Sequence, residues 1–350
     1  MDTLFEKLNK ELVDNTNRLQ KSYQMLENVG EIEVGTAEKE LVWQQDRVCL
    51  YRYKSENPSC KVPVLIVYAL VNTYKMMDIQ PDRSFIRRML SQGLDVYLID
   101  WGGVTQAEKY LTIEDYVQGY VNDSVDFIRK AHNIEKVNLL GVCQGGTFSV
   151  MYSALNPEKV QNLVTLVTPI EFDINEGLLF KWSKDLDVDK IVDAHRGVVP
   201  GKFLDFAFDM LKPMNKTRKY TNILNMFDDE ARLTNFLRME KWISETPDQA
   251  GETYRQFIKD LYKENKLVKG NMVLGGKKID LKKITMPVLT IYASEDHIVP
   301  PAATKPLNDL IGSTDKELYE FPGGHIGVFV GARSQKELAP TLAEWIKKRI

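Results

Sequence analysis

The sequence predicts an α/β fold, a mostly parallel sheet flanked by helices and broken once by a helical insertion, and three observations carry that expectation. Apolar runs such as Val64-Leu65-Ile66-Val67 and Val96-Tyr97-Leu98-Ile99 are continuous rather than alternating, as in strands buried on both faces of a parallel sheet. Strands alternate with helical periods up to about residue 170, the alternation stops in favour of helices and loops until about 280, and then strand patterns resume. Finally, Gly141-Val142-Cys143-Gln144-Gly145-Gly146 follows an apolar strand and precedes a helical run, which reads as a sharp corner presenting a cysteine. The implied organisation is an N-terminal helical extension (1–39), a first core part (40–170), a cap (171–280) and a second core part (281–350).

In the extension, Leu4, Leu8 and Leu12 at i+4 spacing, then Leu19, Tyr23 and Leu26, suggest a partly amphipathic helix, packed on its own domain or offered to a partner. Leu41 to Tyr53 alternates enough for a hairpin, and Pro63 to Leu70 is the first buried strand. Pro81 to Gly93 reads as a helix with Pro81 in its first turn and Gly93 at its end. After the strand Asp95–Trp101, Thr112 and Asp115 form a cap pattern, and Ile113, Val117, Val121, Val125 and Ile128 line one helical face. Val137 to Leu140 leads into the cysteine corner, and Val160 to Val167 gives a further strand. Residues 171–280 then read as helices and loops, with Tyr254, Phe257, Ile258 and Leu261 at i, i+3, i+4 and i+7. Strands return at Pro287–Ala293 and Glu317–Phe321, before a closing helix around Leu338, Leu342 and Trp345.

With 350 residues, 43% hydrophobic and 27% charged, the chain has the makings of a substantial core. Its 46 basic and 49 acidic side chains nearly cancel, so no overall field gathers nucleic acid. Three cysteines, Cys49, Cys60 and Cys143, make no C-x-x-C pair and fit a reducing compartment. The N-terminus lacks the basic start and apolar centre of a signal peptide, and no run approaches about 20 apolar residues. The expectation is a cytoplasmic protein with no transmembrane segment, no nucleic-acid partner, no metal and no resident cofactor.

The chemistry-bearing residues fall at strand ends. Ser294-Glu295-Asp296-His297 follows one late strand and Pro322-Gly323-Gly324-His325 the next, on the edge where open α/β sheets build sites. Cys143, Asp296 and His325, separated by 153 and 29 residues, come in the order nucleophile, acid, histidine, the order of the α/β-hydrolase triad. The fold class is therefore the α/β-hydrolase fold with a largely helical cap inserted before the acid strand. A free thiol has a pKa of about 8.5, so Cys143 needs a base, His325, which Asp296 would orient. Elbow geometry assigns one oxyanion donor to the Gln144 N–H. The second comes from the turn after the Val64–Leu70 strand, at Val71 or its neighbour Asn72. His297 either hydrogen-bonds structurally or borders the acyl pocket; Trp101, beside Asp100, is read as pocket wall. His132 and His195 read as surface or structural residues, and Cys49 and Cys60 as core or surface filler. The cap's Phe203, Phe206, Phe208, Met210, Met226, Phe227, Met239 and Trp242 are core packing or, in part, an apolar face toward a lipidic product.

Several blocks together resemble one family. Tyr68-Ala69-Leu70-Val71-Asn72, Asp95-Val96-Tyr97-Leu98-Ile99-Asp100-Trp101-Gly102, Gly141-Val142-Cys143-Gln144-Gly145-Gly146, Asn235-Phe236-Leu237-Arg238-Met239-Glu240-Lys241-Trp242, Asp296-His297-Ile298-Val299-Pro300 and Phe321-Pro322-Gly323-Gly324-His325 look like polyhydroxyalkanoate synthase. In length and short N-terminus the chain is similar to the catalytic subunit of the two-subunit, class III synthases. The resemblance implies nucleophile, carboxylate and base at Cys143, Asp296 and His325. It also implies an (R)-3-hydroxyacyl-coenzyme A substrate, chiefly 3-hydroxybutyryl, with coenzyme A as leaving group and no cofactor. A helical second subunit of the class III or class IV kind, self-association and attachment to polyester granules are further implications. The rival readings are an ester or thioester hydrolase, including a depolymerase, with the same triad, and a non-catalytic granule scaffold.

Overall fold

The computed structural model describes residues 32–211 and 229–350, with Val13 and Thr16 in addition. The expected N-terminal helix therefore lies outside the described residues, as do Met226 and Phe227. Eight strands form one sheet: β1 (Glu40–Gln45), β2 (Val48–Tyr53), β3 (Val64–Val67), β4 (Val96–Asp100), β5 (Val137–Val142), β6 (Val160–Leu166), β7 (Val288–Ala293) and β8 (Lys316–Phe321). Their spatial order is β1-β2-β4-β3-β5-β6-β7-β8. The β1–β2 hairpin is antiparallel, β2 pairs antiparallel with β4, and every later pairing is parallel.

Continuous apolar strands are what a sheet with two covered faces requires. On β3, Leu65 and Val67 enter one core and Val64 and Ile66 the other; on β5, Val137 and Leu139 oppose Leu140 and Val142. All of these are essentially excluded from solvent. The helix Gln144–Leu155 that leaves β5 is buried on nearly every side, from Gln144 to Ala154. Its small and apolar residues give it no polar stripe to turn outward.

Two local expectations change. The helix over residues 81–93 begins only at Phe85, as α1 (Phe85–Ser91), because the Ser84 hydroxyl accepts the Arg87 N–H at 3.0 Å and caps it. Pro81 instead occupies the turn between the short strands Asp78–Gln80 and Arg83–Ser84. The Thr112–Asp115 capping pair forms as expected, with Thr112 N–H on the Asp115 carboxylate at 2.7 Å. The turns that follow are wound as π-helix over Asp115–Val121 before α2 (Asn122–His132) continues in α-helical form.

The strands on either side of the break in alternation, β6 and β7, are direct neighbours, pairing Leu163 with Val288 and Leu166 with Ile291. Between them, after α3 (Gln144–Leu155), run α4 (Leu178–Asp185), α5 (Val188–Ala194), α6 (Gly201–Leu211), α7 (Glu230–Ser244) and α8 (Gly251–Gln256). A π-helical turn, Phe257–Lys263, extends α8. Two small ribbons, Val198–Val199 with Gln249–Ala250 and Val273–Leu274 with Lys277–Lys278, are additions that no strand pattern announced. Aromatic contacts root the insertion in the core. Phe148 of α3 meets Phe257 edge-on at 6.2 Å, and Phe172 meets Tyr262 at 4.9 Å. Such pairs contribute about 0.5–1.5 kcal/mol each beyond area burial. The closing helix α9 (Ala339–Lys347) buries Leu342 and Trp345. Among the described residues no helix is long and apolar enough to cross a membrane.

Candidate active site

Cys143 stands between β5 and α3 with φ 52° and ψ −122°, a conformation that costs a non-glycine residue about 1–3 kcal/mol. Its N–H donates to the Leu166 carbonyl of β6 at 2.9 Å, which fixes the corner against the neighbouring strand. The glycines permit the rest. A Cβ at Gly145 would collide with the carbonyl oxygens of Val67 and Tyr68, and one at Gly146 with the Thr168 hydroxyl. One at Gly141 would meet the backbone of Gly146. The α3 helix thus enters in direct backbone contact with the end of β3.

Parallel register brings the acid and the histidine together. Ala293 of β7 pairs with Phe321 of β8, so Asp296, three residues on, and His325, four residues on, leave adjacent strands at one level. Two backbone bonds tie the loops: Ser294 N–H to Phe321 O and Glu295 N–H to Gly323 O, both 2.9 Å. The His325 Nδ1 lies 2.6 Å from Asp296 Oδ2. The other carboxylate oxygen, Oδ1, accepts the N–H groups of Ile298 and Val299 at 2.9 Å each. Cys143 is the other group that acts on the imidazole. Burial works to lower the His325 pKa, but the charges of Asp296 and Cys143 outweigh it and raise the pKa to about 10. The site therefore favours an imidazolium sandwiched between carboxylate and sulfur.

The other expected residues are placed as follows. Gln144 opens α3, where the N–H of a first helical residue has no intrahelical acceptor. Its side chain does something the sequence did not announce: Oε1 accepts the Leu70 N–H at 3.1 Å, joining the elbow to the loop after β3. Val71 follows that bond and is half-buried; Asn72 comes next in a left-handed conformation, φ 59°. Trp101 is buried and donates its indole N–H to the Tyr68 carbonyl at 2.9 Å. It walls a cleft of about 310 Å³ together with Asp100, Asn72, Lys75 and Glu245. Burial pushes the Asp100 carboxyl above the usual carboxylate range. His297 is exposed and faces a second cleft of about 510 Å³ with Glu176, Lys181 and Ser294. Cys143 lines neither cleft; it is half-buried and packs against both cores.

Away from the site, His132 Nε2 pairs with the Tyr97 hydroxyl at 2.8 Å and His195 Nδ1 with the Ile191 carbonyl at 2.8 Å. Cys60 is buried against the Val62 carbonyl, and Cys49 lies in β2. Two tyrosines near the sulfur escaped sequence reasoning. Burial and then the Cys143 charge push the phenols of Tyr68 and Tyr262 upward, so both stay neutral beside the sulfur. Tyr262 belongs to a helical face that periodicity reads only as core. Among the described residues no group of three or more His, Cys, Asp or Glu side chains is disposed to hold a metal ion.

Comparison with known proteins matches this geometry to a lineage. Residues 62–332 fit a family model for the alpha/beta hydrolase fold, and residues 3–89 one for the poly-beta-hydroxybutyrate polymerase (PhaC) N-terminus. A putative lipase from Sulfolobus solfataricus shares the fold with a TM-score of 0.56 at 14% identity, covering 89% of this chain and 99% of that one. The chain is 49% identical over 348 residues to the poly(3-hydroxyalkanoate) polymerase subunit PhaC of Allochromatium vinosum, covering 98% of both. The corresponding subunit of Thiocystis violacea is 47% identical, again over 98% of both chains, and that of Synechocystis 46% identical over 97% of this chain and 92% of its own. With identity of this order along almost the whole chain, the protein belongs to the family of poly(3-hydroxyalkanoate) polymerase subunits.

Proposed function

We propose that this chain is the catalytic subunit of a polyester synthase, an acyltransferase that polymerises (R)-3-hydroxyacyl-coenzyme A, chiefly the 3-hydroxybutyryl thioester, through a covalent thioester on Cys143. The observation that carries the reading is the hydrogen-bonded Asp296–His325 pair abutting a cysteine at a strained elbow, in a chain that matches these polymerases end to end. Thiolate sulfur attacks the substrate carbonyl, and the resulting oxyanion is held by the N–H groups of Gln144 and Val71. The tetrahedral intermediate collapses, the carbon–sulfur bond to coenzyme A breaks, and His325 protonates the departing thiolate. In elongation the imidazole takes the proton of a 3-hydroxyl group, whose oxygen attacks an acyl thioester; the carbon–sulfur bond of that thioester breaks, and the released thiolate is paired with, or takes its proton from, the His325 imidazolium. Asp296 holds Nδ1 and stabilises the imidazolium through both half-reactions. All steps are acyl and proton transfers, so no cofactor is required.

The relatives are named as subunits, which supports a second, helical subunit of the class III type. Leu178 and Trp182 of α4 and Phe206 and Met210 of α6 are exposed apolar side chains, which supports contact with that subunit or with a granule surface in the cytoplasm. The test is intact-mass analysis after brief exposure to 3-hydroxybutyryl-coenzyme A. The wild-type chain gains an acyl adduct and then yields insoluble polyester, while Cys143→Ala gains none. Free 3-hydroxy acid as the sole product would mark a hydrolase, and an adduct retained in the variant would remove Cys143 from the mechanism.

A further inference from the structure

The loop after β3, residues 68–75, is held at two points that bracket Val71. On one side the elbow grips it through Gln144 Oε1 and the Leu70 N–H, which is thereby committed. On the other side the insertion between β6 and β7 ties Asn72, Thr73 and Lys75, while Tyr74 is buried in the core, its hydroxyl accepting from Lys39 Nζ at 2.9 Å and its ring meeting Tyr51. The Thr246 hydroxyl lies against the Asn72 side-chain oxygen, the Asp205 carboxylate and the Ile243 carbonyl, with one proton to share among them. The Trp242 indole N–H donates to the Thr73 carbonyl at 2.8 Å, and Lys75 Nζ meets Glu245 Oε2 at 2.6 Å. Three residues at and just beyond the end of α7, Trp242, Glu245 and Thr246, thus engage three of the four residues that follow Val71.

Behind this loop lies open space. The cleft of about 310 Å³ is walled by Ala69, Asn72, Thr73, Lys75, Trp101 and Glu245, so close packing does not hold the loop from that side. Asn72 is also in a left-handed conformation, which a side chain can fix by hydrogen bonding but which the backbone alone does not favour. Between the buried Leu70 and the buried Tyr74, the strained Asn72 and its neighbour Thr73 stand beside this void, and their ties to the insertion set their position.

We infer that Thr246 and Trp242 are positioning residues: seated on Asn72 and Thr73, they aim the Val71 N–H at the oxyanion, so the insertion completes the catalytic site as well as covering it. This rests on the cysteine-acylation reading above. Movement of the insertion away from the core breaks the contacts at Asn72 and Thr73 and disorganises the oxyanion site while leaving Cys143, His325 and Asp296 in place. A mere gate predicts the opposite, since removing its fastenings speeds access to the sulfur.

The experiment compares two reactions of the same thiol in the full-length chain. Alkylation by iodoacetamide displaces iodide at a saturated carbon and creates no oxyanion; acylation by 3-hydroxybutyryl-coenzyme A does. Thr246→Val and Trp242→Phe are expected to slow single-turnover release of coenzyme A roughly 10- to 100-fold with little change in half-saturation. Iodoacetamide alkylation of Cys143 stays within about twofold of wild type, and Thr246→Ser restores acylation. Unchanged acylation in both variants overturns the inference. So does a parallel rise of both reactions, which marks a gate, or a parallel fall, which marks general disruption. Absence of any acyl adduct on Cys143 in the wild type, with alkylation intact, would overturn the underlying reading of the site and this inference with it.

Discussion

The two sides of the loop after β3 are built on different principles. At the elbow, Gly145 and Gly146 leave no atom of clearance against Val67, Tyr68 and Thr168, so close backbone contact, with the Cys143 N–H bonded to the Leu166 carbonyl, sets the position of Cys143. At the end of α7 the same loop is met by a hydroxyl, an indole N–H and an ion pair, with a cleft of about 310 Å³ beside them. The contrast teaches that Cys143 is placed by close backbone contact, whereas Asn72 and Thr73, which follow Val71, are placed by polar side-chain ties. An enzyme whose product must leave as a long chain needs its nucleophile fixed and its cover movable, and these are the two chemistries that deliver each.

The largest expected effect comes from breaking the rigid side. Gly145→Ala drives a Cβ into two backbone carbonyls that no side-chain motion relieves, so a loss on the order of 3 kcal/mol or more, with insoluble or inactive protein, is expected in denaturant unfolding. Gly119→Ala is the control. A Cβ there meets nothing within 4 Å, and the substitution should be neutral or stabilising by up to about 1 kcal/mol. Equal tolerance at both glycines would erase the distinction between the two sides.

Next in size is Asp296→Asn, which keeps shape but removes the charge facing His325 Nδ1. Single-turnover acylation should fall on the order of 10³- to 10⁴-fold, as expected when an imidazolium loses its carboxylate. A fall below tenfold would take Asp296 out of the triad. The same electrostatics carry a stability signature. The folded-state pKa of His325 is raised from 6.5 to about 10, so its stabilising contribution is complete below about 6.5 and is lost as pH rises through about 10. Unfolding free energies of wild type and His325→Gln, compared from pH 6 to 10.5, should therefore differ most at the acid end and converge at the alkaline end. A gap that widens with pH would show His325 to be held neutral.

Sequence reached the rigid side because its causes are local. The elbow glycines stand within five residues of one another, and of the two strands that bring Asp296 and His325 to one level, β7 announces itself as an apolar run while β8 shows Leu318, Tyr319 and Phe321 among charged residues. The side tied by the insertion was illegible for the converse reason. Thr246 meets Asn72 across 174 residues and Trp242 reaches Thr73 across 169, and nothing in a lone threonine or tryptophan signals such a partner. The Leu70–Gln144 bond was hidden too, because Gln144 drew notice for its backbone and not its side chain. Pro81 shows a third kind of miss. Proline suits both a helix start and a turn, and only the Ser84 cap, whose hydroxyl bonds Arg87, decides between them.

The smallest expected effect sharpens the comparison most. Lys75 and Glu245 keep 32% and 28% of their side chains exposed, so solvent screens their attraction, and an ion pair of this kind is worth at most about 1 kcal/mol. Lys75→Met retains the hydrocarbon stem that packs against Gly35 and removes only the charge. Its unfolding free energy should change by less than about 1 kcal/mol, and most of that change should vanish at high salt because the wild-type pair is then screened as well. A double-mutant cycle with Glu245→Gln measures the coupling directly. Coupling of several kcal/mol that survives salt would mean the seat of α7 is a dry, fixed interface like the elbow, and the loop after β3 would then be clamped rigidly from both sides.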